Sequence, residues 1–307
     1  MNLGVDLAPC NRRGLKLANP VMTASGTCGY GTEKDYPFDI QQLGAFICKG
    51  TTLKIKEGNA QPRIAETSGG MLNSIGLQNI GAEALIEQKA PVWAQWKLPV
   101  IVNIAGETID DYARLAYMLD DVSGVSALEV NISCPNVKAG GAEFGADAAT
   151  AARVTAAVRG ETSLPLMVKL TPNTADIKKV AQAVAAAGAD CISLINTLKA
   201  MTIDIKRRKP LLGNVTGGLS GPAVKPVALA MLYEVAAVVD VPLVGCGGIT
   251  TAEDAIEFLM AGASAVQVGT ATLINPRAPL DVLAGIESFM SENSIDDITE
   301  LIGAARK

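Results

Sequence analysis

The chain has 307 residues, of which 49% are apolar and 19% charged, so a large core can form and extensive disorder is not expected. The formal charge of −5 gives no reason to expect a nucleic acid as partner. No run approaches the roughly 18 uninterrupted apolar residues of a membrane span, and no secretion signal opens the sequence, so we expect a cytoplasmic protein.

The first predicted element is a hairpin. Residues 1–19 hold two apolar runs on either side of the turn-forming segment 11–14 (NRRG). From residue 20 onward, short apolar runs rich in β-branched residues alternate with longer segments of helical period, such as residues 174–187, 227–239 and 251–261. The predicted strands are residues 20–25, 45–51, 99–105, 127–133, 165–171, 191–197, 242–247 and 265–269.

Eight apolar strands separated by helices are typical of a parallel α/β sheet, and their number favours closure into a (β/α)₈ barrel, or TIM barrel. An open doubly wound sheet is the alternative. No shift in composition marks a second domain, so we expect residues 1–307 to form a single barrel domain whose floor the N-terminal hairpin covers.

Two of the predicted loops are unusually long. Residues 53–79 follow strand 2 and residues 198–221 follow strand 6, on the face where barrel enzymes hold their active sites. Long loops in a compact domain are usually lids or binding loops. The basic run 206–209 (KRRK) within the second loop is interpreted as solvated rather than as a binding patch.

The carboxyl ends of the predicted strands carry polar residues or glycine. A polar group in an apolar strand costs roughly 1–3 kcal/mol unless it is hydrogen-bonded, so the set indicates a polar ligand in the barrel mouth. The residues are Ser25, Lys49, Asn103, Asn131, Cys134, Lys169, Asn196, Thr197, Gly247, Gly248, Gly269 and Thr270.

Glycines after strands 7 and 8 indicate where a phosphate would bind. Gly247 and Gly248 form a turn that opens a helix, and Gly269 ends strand 8, so bare backbone N–H groups and a helix N-terminus are predicted there. This pattern alone is shared with many isomerases and aldolases. The segment 26–31 (GTCGYG) does not follow the dinucleotide GxGxxG order and is interpreted as a flexible turn beneath a cofactor.

The cysteine and histidine content narrows the acid–base chemistry. Six cysteines are scattered without a CxxC pair, which argues against a zinc site, an iron–sulfur cluster in this chain or a disulfide framework. Histidine is absent, so a cysteine, lysine, tyrosine, carboxylate or serine must move any proton. Cys134 emerges at the rim just before a proline, near water and near lysines that favour its thiolate, and is the candidate base.

Over essentially its whole length the chain resembles the dihydroorotate dehydrogenases. The resemblance rests on the segments 73–79 (NSIGLQN), 131–136 (NISCPN), 195–197 (INT), 216–222 (TGGLSGP) and 247–249 (GGI). It implies FMN as cofactor, one per chain, and oxidation of (S)-dihydroorotate to orotate in pyrimidine biosynthesis.

The resemblance also implies a role for individual residues. FMN would be held by Ser25, Lys49, Gly50, Asn103, Asn131, Lys169, Ile195, Gly221, Gly247, Gly248, Gly269 and Thr270. The substrate would be held by Lys49, Asn73, Ser74, Ile75, Gly76, Leu77, Asn131, Asn196 and Thr197. Cys134 would remove the C5 proton while hydride passes from C6 to the flavin, and Lys169 would stabilise negative charge on the reduced ring.

A cysteine at position 134 resembles the soluble class of the family, whereas the quinone-linked class has serine there. Residues 10–25, 28–36 and 216–233 resemble its NAD⁺-linked branch, which implies a partner subunit with FAD and a [2Fe-2S] cluster and a dimer of catalytic chains within a heterotetramer. The alternatives are a fumarate-reducing homodimer, a phosphate-binding aldolase or isomerase, and a non-catalytic barrel subunit. No metal site is expected in this chain.

Overall fold

The computed structural model describes residues 1–33, 38–133, 135–136 and 142–306. At its centre are eight parallel strands, which we number β1–β8 in chain order. They are β1 Val21–Thr23, β2 Phe46–Ile47, β3 Val100–Ile104, β4 Ala127–Asn131, β5 Leu166–Leu170, β6 Cys191–Leu194, β7 Leu243–Cys246 and β8 Ala265–Val268.

The eight strands close into a TIM barrel. Their order is β1-β8-β7-β6-β5-β4-β3-β2, and a parallel bridge from Met22 to Ala45 joins the two ends. Nearly every strand residue is buried, because side chains point either into the barrel or against the surrounding helices. The predicted barrel is therefore confirmed, and the open doubly wound sheet is excluded.

Helices surround the strands. The α-helices in the described part of the chain are α1 Ala82–Gln88, α2 Ala90–Trp93, α3 Ile109–Leu119, α4 Ala148–Glu161, α5 Ile177–Ala186, α6 Lys225–Val235, α7 Ala252–Ala261, α8 Ala271–Ile274 and α9 Ala278–Glu292. Short 3₁₀ turns lie at Ile40–Gln42, Phe144–Ala146, Pro222–Val224, Ile298–Glu300 and Ala304–Arg306.

Capping residues explain where several helices begin and end. Thr108 and Thr251 each open a capping box with an aspartate three residues later, at the starts of α3 and α7. Gly188 and Gly262 follow α5 and α7 at φ of 104° and 119°, a conformation that glycine adopts without strain. Both glycines thus end a helix and return the chain to the next strand.

The N-terminal hairpin lies across the amino ends of the strands, as predicted. Its strands Val5–Asp6 and Lys16–Leu17 pair antiparallel. The amide nitrogen of Asn11 donates to the carboxylate of Asp190 at 3.0 Å, and Asp190 directly precedes β6. The backbone N–H of Leu166, the first residue of β5, donates to the same carboxylate at 2.7 Å, so one aspartate ties the hairpin to the barrel floor.

The two long loops join into one antiparallel sheet above the barrel, which we call the cap sheet. Its strands, in spatial order, are Leu198–Ala200, Gly217–Ser220, Gly70–Asn73 and Ile64–Thr67. Leu72 pairs with Leu219, and it packs with Ala65 and Leu212 in a small apolar cluster separate from the main core. The sequence predicts both loops but not their pairing.

Two short hairpins complete the loops. Ile203–Asp204 pairs with Lys209–Pro210 and presents the basic run 206–209 to solvent; that the run is not a binding patch stays a prediction. Pro135–Asn136 pairs with Ala142–Glu143 after β4.

Among the described residues, no helix is long and apolar enough to cross a membrane; the cytoplasmic location stays a prediction.

Candidate active site

A cavity of about 1170 Å³ opens at the carboxyl ends of the strands beneath the cap sheet. It is larger than the usual ligand pocket of about 300–1,000 Å³. Among the described residues that line it, five are cationic and one is acidic; these are Lys49, Lys56, Arg63, Lys169, Lys199 and Glu143. The excess of positive charge suits an anionic ligand such as a phosphate ester or a carboxylate.

Glycines form the end of the cavity beside β7 and β8. Gly247 and Gly248 lie at φ of 127° and 77°. A Cβ on Gly248 would lie 2.7 Å from the backbone nitrogen of Lys225, so no larger residue fits there without a backbone shift. Within the described chain, the backbone N–H groups of Gly248, Gly269 and Thr270 make no backbone hydrogen bond, which leaves them available to an anion.

The N-terminus of α7 carries a carboxylate of its own chain, Asp254, which the sequence analysis did not anticipate. The backbone N–H groups of Thr250 and Thr251 donate to the carboxylate of Asp254 at 2.8 Å and 3.0 Å. Burial alone would raise the pKa of Asp254, but hydrogen bonds from Lys225 and Thr250 outweigh it and lower the pKa to about 2. The start of α7 therefore already holds a carboxylate, whereas the glycine turn and the residues before α8 offer backbone N–H groups without a backbone partner.

A buried polar network lies at the base of the cavity. The carboxylate of Glu129 accepts hydrogen bonds from Asn103 at 2.6 Å, Ser193 at 2.9 Å and Gln267 at 2.7 Å. The Lys169 ammonium donates to the Gln267 carbonyl oxygen at 2.9 Å and lies 3.9 Å from Glu129. Such bonds to a charged group contribute about 1.5–3 kcal/mol each, which offsets the several kcal/mol that burying a carboxylate costs.

Lys169 keeps its charge in this network. Burial lowers its pKa, but the Cys246 sulfur and the Glu129 carboxylate raise it, and the net pKa lies above the ordinary value. Burial also raises the pKa of Cys246, so its thiol is neutral at pH 7. Glu129 is the carboxylate that pairs with the Lys169 ammonium in this network.

One polar atom of the network faces the cavity without a partner. The side-chain oxygen of Asn103 is buried and accepts no hydrogen bond. A Cβ on Gly50, which also lines the cavity, would lie 3.1 Å from that oxygen. An unpaired buried acceptor is costly, so this oxygen indicates a ligand that donates a hydrogen bond.

The wall at the ends of β2, β4 and β6 carries amides and one lysine. Lys49 is half-buried, and burial together with the charge of Arg63 lowers its pKa. The Asn196 amide nitrogen donates to the Asn131 side-chain oxygen at 3.1 Å, and the Asn196 oxygen accepts from the backbone N–H of Thr197 at 2.8 Å. The cap sheet adds Asn73, whose amide nitrogen donates to the backbone oxygen of Gly218 at 3.3 Å.

The cavity brings together all the predicted binding residues that are described. These are Ser25, Lys49, Gly50, Asn73, Ser74, Ile75, Gly76, Leu77, Asn103, Asn131, Lys169, Ile195, Asn196, Thr197, Gly221, Gly247, Gly248, Gly269 and Thr270. Which ligand each one contacts stays a prediction. Cys134, the predicted base, lies outside the described residues, as do residues 34–36 of the segment 28–36. Ser133, its neighbour, lines the cavity with a buried hydroxyl that makes no hydrogen bond.

Comparison with known proteins identifies the family. The family model described as dihydroorotate dehydrogenase matches residues 9–290. This chain belongs to the dihydroorotate dehydrogenase family.

Its curated relatives match over nearly the whole chain. A protein of Pelobacter propionicus named dihydroorotate dehydrogenase B (NAD(+)), catalytic subunit, is 56% identical over 294 residues, which cover 96% of this chain and 97% of the relative. A protein of Desulforamulus reducens with the same name is 55% identical over 305 residues, which cover 99% of each chain. The predicted family resemblance is confirmed.

In this chain, the sequence analysis missed the polar residues one layer below the rim. Glu129, Ser193 and Gln267 lie in the middle of β4, β6 and β8 and are fully buried. Each is a polar residue inside an otherwise apolar strand, and Glu129 lies two positions before Asn131, on the same inward face. That spacing could have identified them, because it continues the pattern of the rim residues.

A second missed group lies near the segment that carries Cys134. Glu143, the acid of the cavity wall, accepts from the Thr171 hydroxyl at 2.5 Å and from the Asn173 amide at 3.2 Å. The Asn173 amide also donates to the backbone oxygen of Thr197 at 3.2 Å. These bonds tie the hairpin after β4 to the ends of β5 and β6.

Proposed function

We propose that this chain binds FMN in the cation-lined cavity and oxidises (S)-dihydroorotate to orotate for de novo pyrimidine (UMP) biosynthesis. The observation that carries the proposal is the cavity itself. In a chain that belongs to the dihydroorotate dehydrogenase family, it combines unpaired amides at a glycine turn, a buried lysine and a row of asparagines. We further propose that residues 1–307 act as one FMN-binding domain.

The residues present fit FMN. Gly248, Gly269 and Thr270 offer its phosphate backbone N–H groups that make no backbone hydrogen bond within the described chain, and Gly247 would stand beside them. The unpaired oxygen of Asn103 can accept from a ring N–H, and the charged Lys169 can stabilise electron density that collects on the reduced ring. When bound, FMN supplies the acceptor for the hydride that leaves C6 of the substrate. Ser25, Lys49, Gly50, Asn131, Ile195, Gly221 and Thr270 complete the proposed contacts.

The proposed substrate site lies beneath the cap sheet. Dihydroorotate carries a carboxylate and amide-like edges, which match a lysine and several asparagine amides. Lys49 would bind the anion, Asn131 and Asn196 would orient the ring, and Asn73 would close over it from the cap sheet. The hydrogen bond between Asn131 and Asn196 fixes the direction of both amides before substrate enters. Ser74, Ile75, Gly76, Leu77 and Thr197 would form the rest of the wall.

Cys134 is the proposed base for the C5 proton. The chain has no histidine, and among the described cysteines Cys48, Cys191 and Cys246 are buried with raised pKa values that keep them as thiols. A thiolate is the reactive form of cysteine, so these three are poor bases. Position 134 follows Asn131 and Ser133, both of which line the cavity.

We propose that electrons leave through a partner subunit to NAD⁺. The support is the name of the relatives, which specifies NAD(+) and a catalytic subunit at 55–56% identity. The partner would carry FAD and a [2Fe-2S] cluster, and two catalytic chains would form a dimer within a heterotetramer. The same names disfavour the fumarate-reducing homodimer, and the family match disfavours an aldolase or isomerase.

The absorbance spectrum of the purified chain tests the proposal. A bound flavin absorbs at about 450 nm, and this band should disappear when dihydroorotate is added without oxygen. Orotate serves as the control, because it should shift the band without removing it. A colourless chain that takes up no FMN, or a flavin that dihydroorotate leaves oxidised, would contradict the proposal.

A further inference from the structure

We infer that Glu129 is a positioning residue that sets the hydrogen-bonding pattern of the cavity base through Asn103, Gln267 and Lys169. Glu129 lies one layer below the rim and is fully buried, so it does not itself reach the ligand. The inference rests on the proposed FMN site, and it concerns how this chain prepares that site before the cofactor binds.

Glu129 fixes the direction of the Asn103 amide. An ionised carboxylate only accepts hydrogen bonds, so a side-chain amide beside it must present its NH₂ group. Asn103 does so at 2.6 Å. Its oxygen must then point away from Glu129, and this is the buried oxygen that has no partner beside Gly50. Glu129 therefore makes the cavity base present an acceptor rather than a donor at this place.

Glu129 also fixes the position of the Lys169 ammonium, through the side-chain amide of Gln267. Gln267 presents its NH₂ group to Glu129 at 2.7 Å, which turns its oxygen toward Lys169 at 2.9 Å. The direct separation of Glu129 and Lys169 is 3.9 Å, so the carboxylate also supplies the balancing charge. Lys169 consequently stays protonated and stays in one place at the cavity wall.

The other titratable groups around the pair do not replace Glu129. Glu129 and Cys246 are the ionisable groups that shift the pKa of Lys169. Around Glu129 lie Cys48, Cys191 and Cys246, and burial raises the pKa of each thiol, to about 12 for Cys48. All three thiols are neutral at pH 7. Glu129 is thus the one described side chain that both orients the Asn103 and Gln267 amides and lies beside Lys169.

The test is Glu129→Gln, which keeps the size of the side chain but removes its charge. A glutamine can donate as well as accept, so Asn103 is free to turn its NH₂ group to the cavity. We expect the dissociation constant of FMN from the flavin-free full chain to rise at least tenfold at pH 7. We also expect it to depend more steeply on pH above pH 7 than in the wild type, because Lys169 loses the carboxylate 3.9 Å away that helps to raise its pKa.

Two further variants separate positioning from a general structural defect. Glu161→Gln makes the same change at an exposed position at the end of α4 and should bind FMN like the wild type across the pH range. Asn103→Leu removes the oriented acceptor but leaves Glu129 in place. It should weaken FMN binding and keep the pH profile of the wild type. The loss in the double variant should be smaller than the product of the two single losses, because Glu129 acts through Asn103.

The outcomes distinguish this inference from the proposed function. If the wild type binds no FMN, the proposed function is wrong and the inference falls with it. If the wild type binds FMN and Glu129→Gln binds it equally well with the same pH profile, the inference alone is overturned. If Glu129→Gln fails to fold, the test is made with Asn103→Leu. An affinity for FMN equal to that of the wild type in Asn103→Leu would also overturn the inference.

Discussion

Gly248 offers a direct test of the glycine turn at the cavity. An alanine there would hold its backbone at φ 77°, which costs a residue with a Cβ about 1–2 kcal/mol. Its Cβ would also lie 2.7 Å from both the backbone nitrogen and the Cβ of Lys225. Overpacking of that kind costs about 1–3 kcal/mol, so Gly248→Ala should lower the free energy of unfolding by about 2–5 kcal/mol.

Gly160→Ala is the matched control. Gly160 lies in α4, and a Cβ there would meet no atom within 4 Å. Alanine is the better helix former, so this variant should be more stable by up to about 1 kcal/mol. Urea unfolding of the flavin-free chains gives both differences, and the FMN content of the purified variants gives the effect on the site. A Gly248→Ala chain that unfolds at the wild-type midpoint and carries full FMN would refute the argument.

Three other predictions follow from the site. In stopped-flow experiments, Lys49→Ala should both weaken dihydroorotate binding and slow flavin reduction. Lys206→Ala, on the exposed basic run, is the control and should change neither quantity. If Lys49→Ala changes both quantities only slightly, Lys49 has a merely structural role. The pKa of Asp254 is depressed to about 2, so its ion pair and caps stabilise the fold above about pH 4 and this stabilisation is lost as the pH falls toward 2. The difference in free energy of unfolding between the wild type and Asp254→Asn should therefore narrow over that range. A difference that stays constant would contradict this prediction. The chain alone should reduce NAD⁺ slowly and form NADH rapidly only with a partner that carries FAD and iron, which co-purification with iron and FAD analysis would identify. Fast NADH formation by the isolated chain would contradict this prediction.

The barrel could be predicted because it depends on local patterns. The strands and helices repeat apolar runs and helical periods that short windows of sequence contain. The strands are nevertheless shorter than predicted, and only Phe46–Ile47 of residues 45–51 belongs to β2. The rim residues of that segment, including Lys49, leave the ladder to face the cavity.

The cap sheet could not be predicted in the same way. Gly217–Ser220 (GGLS) has no alternation that indicates a strand, and its partner Gly70–Asn73 lies in a different loop. The pairing depends on the barrel, which brings the ends of β2 and β6 to the same face. A long-range contact of this kind has no signature in either segment alone.

The candidate site shows the same difference between features that a single segment reveals and features that depend on long-range contacts. Its rim residues were predicted because they stand at strand ends, where a polar side chain is conspicuous. Glu129 was missed although its spacing from Asn131 was visible in the sequence; the donors that allow its burial come from β3, β6 and β8, which no single segment reveals. The self-capping of α7 was also missed, although the Thr251 to Asp254 spacing of a capping box was visible in the sequence.

The central claim is that this cavity oxidises dihydroorotate with Cys134 as the base, and one measurement tests it most directly. Flavin reduction after anaerobic rapid mixing with dihydroorotate should be fast in the wild type and in Cys10→Ala, an exposed cysteine of the floor hairpin. Cys134→Ala should keep its FMN but reduce it about 10²–10⁴-fold more slowly, and Cys134→Ser should also be slow because no histidine assists it. Flavin reduction at the wild-type rate in Cys134→Ala would contradict the account.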